Sequence, residues 1–249
     1  MSIFVQIFQQ KSLRMKWSEF FTSSVGRKFV MGLTGLFLIT FLIIHVSINA
    51  CIFADLPIFN ENDNGSVFNR AAHFMGSTIL IRIMEVGLFA GIILHIVQGY
   101  MLELKNRSAR SVGYAVNLGE RGSKWYSRSM GLLGTIILLF LVIHISHFWV
   151  KARITHALEP VTYNGVEMHN MFEEMKMVFS QPWVVILYVL GCISLAYHLA
   201  HGFQSAFRTV GVHNRKYNQL LTSIGYGFSI IVSLVFALMP VAMYLGWVK

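Results

Sequence analysis

The sequence predicts an all-α membrane protein with five transmembrane helices. Of its 249 residues, 55% are hydrophobic and only 12% are charged, about half the charged fraction that is usual in soluble domains. The mean hydropathy is +0.59. The apolar runs are long and show no two-residue alternation, which favours helices over strands. We therefore expect a single integral-membrane domain over residues 1–249.

Each predicted helix has about the twenty apolar residues that cross a bilayer. The predicted helices cover about 30–53, 79–102, 130–150, 182–207 and 222–246. Pro240 predicts a kink near the end of the fifth helix. Aromatic residues cluster at the helix ends, as in the interfacial belts of membrane proteins: Trp125, Tyr126, Trp149, Trp183, Tyr244 and Trp247.

The segments outside the predicted transmembrane helices also have predicted structure. The loops 54–78 and 151–181 are long enough to fold over one face of the bundle. Within the second loop, NMFEEMKMVFS (170–180) predicts a short helix, and the initial MSIFVQIFQQ predicts an amphipathic surface helix.

The distribution of Lys and Arg predicts the orientation. Fourteen of them lie in segments 1–29, 103–129 and 208–221, and five lie on the opposite side of the predicted helices. Because positive charge favours the cytoplasmic side, we expect a cytoplasmic N-terminus and an external C-terminus in a bacterial cytoplasmic membrane. With this hydropathy, the net charge of +9 indicates a membrane surface or an acidic partner and not nucleic acid.

Four of the five predicted helices carry a histidine deep in the apolar run: His45, His95, His144 and His198. Polar groups in lipid are costly and are usually functional. At 1.5 Å per residue, His45 and His144 lie roughly 10 Å from the outer edge of the hydrocarbon core. His95 and His198 lie nearer the inner end, so the histidines form an outer and an inner layer.

Two layers of two histidines predict two b-type haems, because each haem takes two axial nitrogens from opposite sides. Zinc would need about four ligands together, and the chain has no CxxCH motif for attached haem c. Cys51 and Cys192 have no CxxC spacing, which argues against a disulfide, a zinc site or an iron–sulfur cluster.

The inner layer leaves one alternative open. Gly99 and Gly202 follow His95 and His198 by one turn and leave room for a flat ring, or for close helix packing. The depth of His201 suits the inner layer slightly better than that of His198, whereas the glycine spacing favours His198.

Four segments carry a family resemblance: SVGRKFVMGLTGLFLITFLIIH, GIILHIVQGY, LFLVIHISHFWV and YHLAHGFQSAFRTVGV. They resemble the single-chain, five-helix dihaem cytochrome b anchor of succinate dehydrogenases and fumarate reductases, over nearly the whole chain. The spacing of His198, Gly202 and Gly211 matches the family's fourth-helix motif. The resemblance implies a four-helix bundle that holds two haems b plus a fifth helix, with His95/His198 and His45/His144 as the axial pairs.

The resemblance also implies the partners. A flavoprotein subunit and an iron–sulfur subunit would dock on the cytoplasmic face, and a membrane quinone, expected to be menaquinone, would react at this chain. The direction of catalysis and the formation of higher oligomers stay open. Some family members carry a glutamate two residues before the fourth-helix ligand; Ala196 stands there, so we do not expect that proton route.

Other polar residues are candidates for a quinone or proton site. Arg82 and Glu85 are one turn apart and are predicted to form an ion pair, either structural or beside the quinone. His73, Asn49 and His147 are further candidates for this site. Arg27, Lys28 and Arg208 could contact haem propionates, or they could serve only as positive-inside residues.

Two other functions remain as alternatives. The chain could be the haem b subunit of another quinone-linked enzyme, such as a hydrogenase or a formate dehydrogenase. It could also be a haem-free transporter or channel with histidine proton relays, although the sequence lacks the inverted repeat typical of transporters. A haem spectrum would separate the last alternative from the others.

Overall fold

The computed structural model describes residue 21 and residues 23–60, 63–108, 124–212 and 214–248. Five of its helices are long and apolar enough to cross a membrane, which confirms the predicted multi-pass helical architecture. These five, called spans 1 to 5, are Ser24–Asp55, Ile79–Ser108, Met130–Thr155, Pro182–Thr209 and Lys216–Tyr244. The predicted surface helix MSIFVQIFQQ lies outside the described residues.

Span 1 consists of a long α-helix and a 3₁₀ helix, and span 3 consists of an α-helix and a π-helix. In chain order the elements are α1 Ser24–Asn49, the 3₁₀ helix Ala50–Asp55, α2 Ser66–Ser77, α3 Ile79–Ser108, α4 Trp125–Arg128, α5 Met130–His144, the π-helix Ile145–Thr155, β1 Pro160–Tyr163, β2 Val166–His169, α6 Met171–Phe179, α7 Pro182–Thr209 and α8 Arg215–Tyr244.

Capping residues set the starts of the spans. Ser23 accepts a hydrogen bond from the Gly26 amide at 3.0 Å, and Asn214 accepts one from the Lys216 amide at 2.9 Å. These caps begin α1 and α8 among polar residues, several positions before the predicted apolar runs. Helix α8 then continues through Pro240 to Tyr244.

Span 4 is the centre of the bundle. It packs along span 5 most extensively, and also against spans 1 and 3, while span 2 packs mainly on span 1. Close approach depends on glycine: a Cβ at Gly191 would lie 2.7 Å from the Phe140 ring, and one at Gly32 would lie 3.1 Å from Thr209. Many large apolar side chains of span 2 are exposed, as expected for a surface that faces lipid.

One end of the bundle is covered by a small cap, formed by the described residues of 56–78 and by residues 156–181. The cap contains α2, α6 and the β1–β2 hairpin, in which Val161 pairs with Met168. Asn164 and Gly165 turn the hairpin with φ values of 52° and 78°, the conformation that Asn-Gly favours. The predicted short helix at 170–180 is present as α6; the hairpin was not predicted.

A buried amide joins the parts of the cap. Asn69 is 0% exposed; its amide nitrogen donates to Tyr163 at 3.1 Å and to Asn170 at 3.0 Å, while its oxygen accepts from the Phe172 amide at 3.0 Å. Apolar residues of the cap, including Phe172, pack on the ends of spans 1 and 5. The bundle therefore has a cap end and an opposite basic end, where Arg27, Lys28 and Arg208 lie.

Candidate functional site

The four deep histidines lie together as two pairs. The ring centres of His45 and His144 are 5.8 Å apart at an interplanar angle of 90°. The ring centres of His95 and His198 are 6.2 Å apart at 64°. The structure thus brings together the two pairs that depth in the sequence predicts. We call them the cap-side pair (His45, His144) and the basic-side pair (His95, His198).

The two pairs lie in separate layers. On span 1, Thr34 contacts His95, and His45 follows Thr34 by eleven residues, or about 16 Å of helix. On span 3, a Cβ at Gly134 would lie 3.8 Å from His198, and His144 comes ten residues later, or about 15 Å along the helix. The two spans give the same spacing, so the layers are nearly parallel.

The spacing within each pair fits one metal ion held by two rings. An imidazole nitrogen binds a transition metal at about 2.0–2.1 Å, so two opposed rings on one ion have centres about 6 Å apart. Among the residues that the structure describes, no group of three or more His, Cys, Asp or Glu side chains could hold a metal ion. Each pair can supply two imidazole ligands to one ion.

Small residues and a hydroxyl surround the basic-side pair. The Oγ1 of Thr34 lies 3.1 Å from the Nδ1 of His95. A Cβ at Gly35 would lie 3.7 Å from His95, and one at Gly202 would meet nothing within 4 Å.

The ring that faces His95 is that of His198 and not that of His201. His201 lies one turn nearer the basic end, close to Arg208.

Aromatic rings surround the cap-side pair. Phe41 stacks on His45 at 5.0 Å, and Phe140 stacks on His144 at 5.5 Å. Tyr188 also contacts His144, with ring centres 6.0 Å apart. The cap-side pair is thus enclosed by rigid apolar rings, which exclude water and lower the local dielectric constant.

Each pair contains one histidine with a polar partner and one without. Asn49, a predicted candidate for the quinone site, instead contacts His45: its amide nitrogen lies 3.3 Å from the ring Nδ1 and donates to the His45 carbonyl at 2.8 Å. In the described part of the chain, the buried Nδ1 atoms of His144 and His198 have no hydrogen-bond partner. Buried polar atoms without partners are rare and are typical of functional sites.

The π-helix that follows His144 directs polar side chains to two neighbours. The Nδ1 of His147 lies 3.0 Å from the hydroxyl of Tyr188, on span 4. Lys151 pairs with the buried Glu174, on α6, at 2.6 Å. The sequence pattern does not indicate the π-helix. Such helices are rare and are frequent at functional sites, because their i→i+5 bonding shifts the faces that side chains present.

The predicted ion pair of Arg82 with Glu85 is wrong. Glu85 accepts a hydrogen bond from the Trp149 indole at 2.6 Å and pairs with Arg153 at 3.4 Å; Arg153 also donates to the Gly76 carbonyl at 3.1 Å. Helical spacing alone suggested Arg82, whereas the rotation of span 2 turns the carboxylate of Glu85 towards the π-helix. Glu85 therefore joins spans 2 and 3 near the cap.

The remaining predicted residues lie away from the two pairs. His73, on α2, lines a surface cavity of about 360 Å³ in the cap, together with Arg70 and Tyr163. At the basic end, Lys28 lines a cavity of about 420 Å³ with Thr209, in the same region as Arg27 and Arg208. Cations at that end are well placed for anionic groups that approach the basic-side pair.

The basic end also carries a polar cluster that was not predicted. Lys124 donates to the Tyr226 hydroxyl at 3.0 Å, and the hydroxyls of Tyr226 and Tyr126 are 2.7 Å apart. The hydrogen bond to Tyr226 raises the pKa of Lys124, because it stabilises the charged ammonium. The cluster joins the segment just before span 3 to span 5. Its residues are about 100 positions apart in the sequence, so local sequence patterns cannot predict the contact.

Comparison with family models, curated proteins and solved structures finds no match for this chain.

Proposed function

We propose that this chain is the membrane-anchor subunit of a succinate:quinone oxidoreductase and holds two haems b. The observation that carries the proposal is the pair geometry: four spans contribute one histidine each, and the ring centres in the two pairs are 5.8 and 6.2 Å apart. The assignment to this particular enzyme rests on the sequence resemblance.

In this proposal His95 and His198 hold one haem, and His45 and His144 hold the other. When bound, each haem supplies a one-electron carrier, so that electrons could cross between the two faces of the membrane. The chain fixes the ring positions through Thr34 and Asn49, and the aromatic rings around the cap-side pair exclude water. Arg27, Lys28 and Arg208 are proposed to neutralise haem propionates at the basic end.

The basic end is the proposed cytoplasmic face, since the positive-inside rule assigns it there. A flavoprotein subunit and an iron–sulfur subunit would dock on it and exchange electrons with the basic-side haem. Dicarboxylate chemistry belongs to those subunits.

The membrane quinone is proposed to react near the cap-side pair. Quinone reduction takes up two electrons and two protons, and quinol oxidation releases both, so the site needs groups that exchange protons. Tyr188 contacts His144 and lies 3.0 Å from His147 of the π-helix. Glu85 of span 2 accepts from Trp149 of the same π-helix at 2.6 Å. Arg82, Asn49 and His73 are secondary candidates, because no described contact links Arg82 or His73 to the pair or to the π-helix, and Asn49 is engaged with His45.

The proposal is tested on the purified native complex. A pyridine-haemochrome assay measures haem per chain, and in-gel fluorescence detects covalent flavin in copurifying subunits. We expect two haems b per chain, a flavoprotein partner and succinate-dependent haem reduction.

Each alternative gives a different result. If the chain holds two haems and copurifies with a hydrogenase or a formate dehydrogenase, it is the haem b subunit of that enzyme. A folded, assembled chain without haem would overturn the proposal and favour the transporter or channel.

A further inference from the structure

The Thr34 hydroxyl lies within hydrogen-bond distance of two carbonyl oxygens and one imidazole nitrogen. Its Oγ1 lies 2.9 Å from the Val30 carbonyl and 3.2 Å from the Met31 carbonyl, both on its own helix. The same oxygen lies 3.1 Å from the Nδ1 of His95, on span 2. A threonine in a helix commonly donates to the carbonyl one turn back. Its proton is then committed to the backbone, and the oxygen can only accept from His95.

The direction of the Thr34 hydrogen bond determines which ring nitrogen of His95 carries the proton. A neutral imidazole carries one N–H, and the tautomer is set by the partner of each nitrogen. Because the Thr34 oxygen accepts, Nδ1 of His95 bears the proton, and Nε2 keeps a free lone pair. A lone pair on Nε2 is what a metal ligand requires.

The neighbouring residue fixes the position of the ring. Gly35 follows Thr34 on span 1, and a Cβ there would lie 3.7 Å from the His95 ring and 3.7 Å from Ala206. The ring of His95 therefore lies against the backbone of span 1, held by one hydrogen bond and by packing. Span 1 thus orients a ligand that belongs to span 2.

We infer that Thr34 is a positioning residue, which holds His95 in the Nδ1–H tautomer and presents its Nε2 to the basic-side haem iron. This inference rests on the proposed function and deepens it. A hydrogen bond from Nδ1–H also makes Nε2 a stronger donor, which stabilises ferric over ferrous iron.

The chain offers matched variants. Thr34→Val removes the hydroxyl at nearly constant volume, and Thr34→Ser keeps it. Thr40→Val is the control, because Thr40 is an exposed threonine of the same helix whose hydroxyl donates to the Leu36 carbonyl, one turn back, at 3.1 Å. Each variant is purified as the whole complex, also in a His144→Ala background that leaves only the basic-side pair intact.

The readouts are haem content and the ferric-to-ferrous ratio in a redox titration. For Thr34→Val we expect about a 10-fold fall in that ratio at the basic-side haem at a fixed potential, the low end of outer-shell effects. For a one-electron couple this is about 59 mV. Thr34→Ser and Thr40→Val should titrate like wild type.

Loss of one haem in Thr34→Val with recovery in Thr34→Ser would also support the inference. Unchanged titration in Thr34→Val would overturn it, and so would equal shifts in Thr34→Val and Thr34→Ser, because the hydroxyl would then not be the cause. Absence of haem from the assembled wild-type complex would instead overturn the proposed function.

Discussion

The two histidine pairs have the same arrangement in different surroundings. The cap-side pair is packed among aromatic rings, with Phe140 and Tyr188 on His144, and lies beneath a folded cap. The basic-side pair lies against glycines 35 and 134 and one hydroxyl, on the side of the bundle that ends in exposed cations. Equivalent ligands in unlike environments would give haems with different potentials, since hydrogen bonds, burial and charge all tune a haem.

The two pairs are expected to respond to different substitutions. Bulk added near the cap-side pair would displace an aromatic ring, whereas at Gly35 it would meet the His95 ring, and loss of the Thr34 hydroxyl would remove a hydrogen bond to His95. If each pair holds a haem as proposed, a mutation near one pair should affect one haem and spare the other.

The largest expected effect is on the basic-side pair. His198→Ala should remove one of two haems, because it deletes the ring that faces His95 at 6.2 Å. His201→Ala is the matched control, one turn away, and should keep both haems. Haem per chain is measured by pyridine haemochrome. Loss of a haem in His201→Ala with retention in His198→Ala would assign the ligand to His201.

A smaller effect is expected from the cap. Asn69→Ala leaves the Phe172 amide without its acceptor, and each buried group left unpaired costs about 1–3 kcal/mol. We expect a lower midpoint of thermal unfolding and greater solvent access to the cap-side haem only. Ser77→Ala is the control, because its exposed hydroxyl donates to the His73 carbonyl of the same helix. Equal stability of the two variants would contradict the role of the Asn69 network.

A local effect is expected at Gly191. An added Cβ would lie 2.7 Å from the Phe140 ring, which stacks on His144, so Gly191→Ala should displace that ring. Overpacking of this kind costs about 1–3 kcal/mol. Gly87→Ala, where a Cβ meets nothing within 4 Å, is the control. The visible spectrum should change for the cap-side haem alone; a change in the basic-side haem would contradict the separation of the two sites.

The spans and the histidine pairs could be predicted from the sequence because they depend on one-dimensional properties. Hydropathy locates a span, and 1.5 Å per residue converts position into depth. Depth suggested the two pairs that the structure brings within 6.2 Å or less. The hairpin also has a sequence signal, because Asn164-Gly165 is a strong turn dipeptide between short β-prone segments.

Other features depend on how the helices are rotated, which hydropathy does not report. Glu85 pairs with Arg153 and not with Arg82 because span 2 turns it towards the π-helix. Thr34 and His95 are 61 residues apart, so no local pattern connects them. The π-helix has no sequence signature, since apolar runs of α- and π-helix look alike.

Two double variants of the purified complex test whether the four histidines act as two pairs. His45→Ala/His144→Ala removes both members of one pair, whereas His45→Ala/His198→Ala removes one member of each. Both variants delete two imidazoles from span interiors, so they control for each other. We expect one haem per chain in the first variant and none in the second. Equal haem content in the two variants would contradict the assignment of these four histidines to two separate pairs.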